Sequence, residues 1–137
     1  FVKNFLSFET PYNSLLLFHG LGTGKTCASI SVAEEMRYYL KQMNIKKKII
    51  TVASPVVQEN YNIQLFDERK LKVVNNQWII NNCAGNNLLK EINMLKNNIN
   101  KEKVIAIVNN IIDTFYLFIG YIEFANLIIK KSLMEEK

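Results

Sequence analysis

The stretch His19-Gly20-Leu21-Gly22-Thr23-Gly24-Lys25-Thr26 decides how the rest of the chain is read. It follows the apolar run Ser14-Leu15-Leu16-Leu17-Phe18 and precedes a segment of helical periodicity that starts near Lys25. A buried strand, a glycine-rich loop and a helix, in that order, make a phosphate-binding loop: glycines let the backbone curl around an anion, and the helix points its N-terminus at it. Gly20, Gly22 and Gly24 permit positive φ and close backbone approach, with Leu21 and Thr23 adding further N–H groups. Lys25 supplies charge for the β- and γ-phosphates, and Thr26 a hydroxyl ligand for Mg²⁺. The usual pattern begins with glycine; here that position is His19, the only histidine, read as a loop residue because no second histidine exists to share a metal.

Working outward, Ser14–Phe18 has the continuous apolar character of a strand buried on both faces, as in a parallel sheet covered by helices. After the loop, Ala28, Val32, Met36 and Tyr39 recur at helical spacing, with Ile30, Ala33 and Leu40 widening the face, and the helix is expected to end near Asn44. Glu34 and Glu35 are expected at the surface, two to three turns beyond the phosphate site. Ile49-Ile50-Thr51-Val52-Ala53 reads as a second buried strand, and Ser54-Pro55 as an N-cap with proline at the first helical position of a helix through about Phe66.

Lys72-Val73-Val74 and Trp78-Ile79-Ile80 flank Asn75-Asn76 and suggest either a short hairpin or an irregular connection with a third strand near 77–81, followed by a turn at 82–86. Leu88, Ile92 and Leu95 mark a helix, and Val104, Val108, Ile111 and Phe115 another. Tyr116–Ile119 is either a short strand or the end of that helix; Gly120 interrupts it, and Ile122, Ala125, Ile129 and Leu133 give the last helix a core face. The expected fold class is α/β: a parallel sheet with flanking helices.

The chain has 137 residues, 49% of them hydrophobic, enough for one core of ordinary size. It begins with Phe1 and carries no charged-then-apolar leader, which suggests an internal piece of a longer protein without a secretory signal. The apolar stretch 115–129 is broken by Gly120, Glu123 and Asn126 and is too short to span a bilayer, so no membrane role is expected. Cys27 and Cys83 lack CxxC spacing and partner histidines; they read as isolated thiols in a reducing, intracellular compartment. The net charge of +5 gathers in lysine clusters at 46–48, 70/72 and 130–131, which suit either a nucleic-acid backbone or a solvated face. The chain favours Asn, Ile and Lys, as an A+T-rich coding sequence would.

A resemblance runs through Thr10-Pro11-Tyr12, Leu15-Leu16-Leu17-Phe18-His19-Gly20, Gly22-Thr23-Gly24-Lys25-Thr26, Ala53-Ser54-Pro55, Gln64-Leu65-Phe66-Asp67-Glu68-Arg69 and Gly120–Asn126. These segments resemble superfamily II helicases, most closely the Swi/Snf-like and early-transcription-factor-like ATPases of large nucleocytoplasmic DNA viruses. The resemblance implies ATP and Mg²⁺ as cofactors, DNA or RNA as partner, transcription-complex partners, and a virion or host-cytoplasm location. It makes residues 1–137 the N-terminal part of a RecA-like P-loop NTPase lobe. It also implies that Phe8 or Tyr12 stacks on the adenine, and that Ser54, Gln58 and Asn60 touch a nucleic-acid strand; an ordinary helix cap accounts for Ser54 equally well.

Phosphoryl transfer needs an Asp for Mg²⁺, a Glu to orient water and usually an arginine at the γ-phosphate. Asp67-Glu68 is the only Asp-Glu pair, but it follows a helix-like segment rather than a buried strand, and a local pair with Arg69 is the plainer account. In the resembled helicases the Asp-Glu motif follows the segment like Gly120–Asn126, and the arginine comes from a second lobe. The chain would stop before its hydrolytic carboxylates. Alternatives are a P-loop protein that binds nucleotide without turnover, or another P-loop NTPase or nucleotide kinase, for which no Asn-Lys-x-Asp motif or acceptor site is found.

Overall fold

The structure is a computed structural model that describes residues 6, 7, 9–18, 24–94 and 98–136. The first helix, α1, spans Lys25–Gln42 and starts where the sequence places it, directly after the last glycine of the loop. Strand β1, Ile49–Val52, leads through Ala53 into helix α2, Pro55–Leu65, with proline at its first position. A 3₁₀ turn at Glu68–Lys70 precedes strands β2, Lys72–Val74, and β3, Gln77–Ile79. A second 3₁₀ turn, Asn87–Leu89, runs into the short helix α3, Lys90–Met94. Helix α4, Lys101–Phe115, strand β4, Tyr116–Ile119, and helix α5, Tyr121–Glu135, complete the order.

β1 and β4 pair in parallel, Ile49 opposite Tyr116 through Val52 opposite Ile119, so the architecture is α/β with a small parallel sheet and helices. β2 and β3 form a separate antiparallel hairpin. Its turn residues Asn75 and Asn76 both hold positive φ (52° and 61°), the geometry of the tight turn that matches strand twist. Asn100 caps α4 by accepting from the Lys103 backbone N–H at 3.0 Å.

The core gathers Ile30 and Ala33 of α1, Tyr61 and Leu65 of α2, Leu88, Leu89 and Ile92, and Val104, Val108 and Ile112 of α4 around Tyr116. Each large apolar side chain fully removed from water contributes roughly 1.5–3 kcal/mol. Among the described residues no helix is long and apolar enough to cross a membrane.

Several expectations need correction. β1, expected to be buried, has Ile50 exposed and Ile49, Thr51 and Val52 only half-buried. Ser14–Phe18 has no strand pairing, and Leu16 and Phe18 are 86% and 94% exposed. An apolar run fixes a tendency to be covered, whereas a strand also needs a backbone ladder, and among the described residues β1 pairs with β4 alone. The expected core face of α5 is likewise uncovered: Ile122, Ala125, Ile129 and Leu133 are exposed, and the side turned inward carries the half-buried Phe124 and Leu127. Glu34, expected at the surface, is only 4% exposed, and Arg37 is buried beside it; Glu35 is half-buried. Finally, Cys27 and Cys83 are not isolated. α1 and the 82–86 turn bring them together as a disulfide.

Candidate nucleotide site

Of the phosphate-binding loop, His19, Gly20, Leu21, Gly22 and Thr23 lie outside the described residues, as does Phe8. Gly24 is described and adopts φ 83°, the left-handed region that L side chains rarely enter. Its carbonyl accepts from the Ala28 N–H at 2.9 Å, so the glycine turns the chain and caps α1 at once. Lys25 and Thr26 then occupy the first turn of an 18-residue helix, where unpaired backbone N–H groups and the helix dipole favour an anion.

Lys25 and Thr26 border a hollow of about 550 Å³ that lies along β1, with Leu17, Ile50, Val52 and Tyr61 on its walls. Ser29 donates to the Thr26 carbonyl at 2.7 Å, which occupies its hydroxyl within the helix. Burial raises the Tyr61 phenol above its ordinary value, and the Glu34 charge adds to it, against lowering by Ser29 and Thr51. The hollow therefore has a cationic and hydroxyl rim and largely apolar walls. Lys25 and Thr26 have the side-chain chemistry that a Mg²⁺-triphosphate would require, an ammonium charge and a hydroxyl oxygen. Among the described residues no carboxylate and no arginine lines the hollow. Tyr12 is exposed and does not border it.

Ser54, Gln58 and Asn60, which the resemblance implies as nucleic-acid contacts, follow the carboxyl end of β1. Ser54 holds extended backbone before α2, but its hydroxyl makes no capping bond. Its carbonyl accepts from the Gln58 N–H at 2.9 Å, and the Gln58 amide folds back to donate to the Ala53 carbonyl at 2.7 Å. Gln58 thus fastens the start of α2 to the end of the strand, and Asn60, two residues on and on the other side of the helix, is exposed. Lys46–Lys48 precede β1 and so lie at its opposite end; Lys48 donates to the Asp113 carbonyl at 2.8 Å.

Asp67 is engaged locally. It accepts from the Arg69 backbone N–H, and its two oxygens accept from the Arg69 guanidinium at 2.8 and 3.0 Å. This partner holds the Asp67 carboxyl below the ordinary carboxylate range.

A buried cluster behind the site was not foreseen from the residues alone. Glu34 accepts from Arg37 Nε and from an Arg37 terminal nitrogen, the latter at 2.8 Å, and also from the Tyr116 hydroxyl at 2.6 Å. The Arg37 guanidinium lies 5.9 Å from the centre of the Phe115 ring. The only available signal was the i, i+3 spacing of Glu34 and Arg37, which surface pairs share.

Comparison with known proteins returns viral relatives. The chain is 25% identical over 138 residues to a protein of Acanthamoeba polyphaga mimivirus provisionally named an ATP-dependent RNA helicase; the match covers 98% of this chain and 11% of the relative. A second mimivirus protein with a similar provisional name is 28% identical over 134 residues, covering 93% of this chain and 20% of its own length. A shorter match, 61% identical over 36 residues, is to a protein of Frog virus 3 provisionally named a helicase. The chain thus spans about a tenth to a fifth of the relatives it matches along most of its length. No protein-family profile and no solved structure matches it. The chain is thus similar to viral proteins that carry provisional helicase names.

Proposed function

We propose that residues 1–137 form the ATP-binding front part of the first RecA-like lobe of a superfamily II, Swi/Snf-like helicase or translocase. The protein acts on DNA or RNA in viral transcription, alongside transcription-complex partners, inside the virion or the host cytoplasm. The observation that carries the reading is the left-handed Gly24 placed directly before Lys25 and Thr26, at the start of a long helix that borders a hollow along β1. The names of the relatives agree with it.

On this reading the backbone from Gly20 to Gly24 cradles the phosphates, Lys25 neutralises their charge, and Thr26 offers its hydroxyl to Mg²⁺. Bound ATP supplies the phosphoanhydride whose hydrolysis drives one lobe against another. On this reading the Mg²⁺-binding Asp, the water-orienting Glu and the arginine are supplied by parts of the protein outside residues 1–137. Ser54, Gln58 and Asn60 lie at the strand end where open α/β sheets present ligand contacts, and form the nucleic-acid side of the lobe.

The test is binding of a fluorescent ATP analogue, and ATP turnover with and without single-stranded DNA or RNA, by the intact protein and its Lys25→Ala variant. Loss of one charge-assisted contact should weaken nucleotide binding roughly tenfold to a hundredfold. Turnover stimulated by nucleic acid supports the motor; unstimulated turnover points to another P-loop NTPase, and tight binding without turnover to a binding protein. Affinity indifferent to Lys25→Ala overturns the site.

A further inference from the structure

Cys27 is the residue after Thr26, in the first turn of α1, and Cys83 stands in the turn after β3 with its Cα 4.9 Å away. The two residues are 56 positions apart in sequence, so their pairing is a product of the fold rather than of local chain direction. Both side chains are half-buried and so within reach of small solutes. Gln64 Oε1 lies 4.0 Å from Cys27 Sγ and 3.6 Å from Cys83 Sγ, placed to accept an S–H from either when the bond is open. The same site therefore accommodates both the disulfide and the dithiol. The neighbouring Asn82 Oδ1 is buried without a hydrogen-bond partner, although Asn82 Nδ2 donates to the Leu65 carbonyl.

We infer that Cys27 and Cys83 form a reversible thiol–disulfide pair that fixes the first turn of α1, and with it Lys25 and Thr26, against the 82–86 turn. Cys27, in the first turn of α1, is the attacking group toward a peroxide. Its sulfur takes one oxygen as the O–O bond breaks, giving a sulfenic acid and hydroxide. The Cys83 sulfur then attacks Cys27 Sγ: the S–S bond forms, the S–O bond breaks, and hydroxide leaves with the thiol proton as water. Overall two thiols and one hydrogen peroxide give a disulfide and two waters, with two electrons passing to the peroxide. A dithiol reductant returns two electrons and two protons.

With the bond closed, Gly24 keeps its left-handed turn and α1 starts at Lys25, the arrangement a phosphate site needs. Closure preorganises that turn, and opening loosens it. The effect on nucleotide rests on the function proposed above; the tether itself does not.

The intact protein is treated with hydrogen peroxide or with dithiothreitol, the Cys27–Cys83 cross-link is read by mass spectrometry, and ATP-analogue affinity and hydrogen exchange of the 24–30 amides are measured in both states. Cross-linking, slower exchange at 24–30 and affinity about threefold or more tighter in the oxidised form are expected. Cys83→Ser should stay at the reduced level under peroxide. Absence of the cross-link, or equal exchange in the two states, overturns the tether. Equal or weaker affinity on oxidation overturns its effect on the site. If neither state binds nucleotide, the proposed function fails, while exchange at 24–30 still decides the tether.

Discussion

The Tyr116 hydroxyl donates to Glu34 Oε1 at 2.6 Å, across 82 positions of sequence, with both side chains buried. This bond joins the first residue of β4 to the middle of the helix that carries Lys25 and Thr26. Glu34 is paired with Arg37 as well, so the buried carboxylate has a charged partner and a neutral donor. Removing a partner from such a group costs more than the group's presence contributes, because what is left behind is buried charge.

Tyr116→Phe should therefore lower the unfolding free energy by about 2 kcal/mol, as expected for loss of a hydrogen bond to a charged acceptor. Arg37→Met should cost more, about 3–5 kcal/mol, because Glu34 then lacks its counter-charge. Urea titrations followed by circular dichroism measure both, and equal, small effects would show the cluster to be solvated.

Alkaline pH acts on the same region. Burial first, and then the Glu34 charge, raise the Tyr116 phenol far above its ordinary value, and burial raises Tyr61 too. The folded chain keeps both protonated where the unfolded chain ionises them, so their contribution is intact below about pH 10 and is lost as pH rises from there. Asp67 has the opposite sign: Arg69 depresses its value, so its contribution holds above about pH 4 and is lost as pH falls through the folded value. Urea midpoints between pH 7 and 11 should fall at the alkaline end, less steeply in a Tyr61→Phe, Tyr116→Phe double variant.

Gly24→Ala would place a Cβ at φ 83°, in open space but in a strained backbone region. The cost should be about 1–2 kcal/mol, felt at the start of α1. A fluorescent ATP analogue should bind more weakly to this variant, with the urea midpoint lowered in parallel.

Asn93 behaves like an added strand beside β3. Its Oδ1 accepts from the Trp78 N–H, and its Nδ2 donates to the Trp78 carbonyl, each at 2.8 Å. Asn93→Ala removes both bonds from a half-buried backbone and should cost about 2 kcal/mol. Trp78 is the only tryptophan, so its emission should shift to the red as its backbone loosens.

Much of this molecule is written locally. Gly24 before Lys25, Pro55 after Ser54 and the Asn75-Asn76 pair each announce their element within a few residues, because capping and turn chemistry act over that range. A strand at Ile49–Val52 was readable from its β-branched run, whereas the parallel sheet was read from Ser14–Phe18, which pairs with no strand among the described residues. The burial of Glu34 was not readable, because it depends on Tyr116 and on Arg37 turning inward. The Cys27–Cys83 contact was hidden for the same reason. Leu16, Phe18, Ile129 and Leu133 show the converse limit: apolar patterning says that a surface is suited to burial, without saying what lies against it.

The register that sets Ile49 opposite Tyr116 also orders events in time. The 72–79 hairpin closes over a two-residue turn, on a scale of about 1–10 μs. β1 and β4 meet only after the intervening chain, including α2 and α4, has been gathered in, and such distant parallel pairing is intrinsically slow. The hollow along β1 matures with that last pairing. In a refolding experiment, recovery of nucleotide binding should therefore lag behind recovery of helical signal, which makes the site a reporter of when folding is complete.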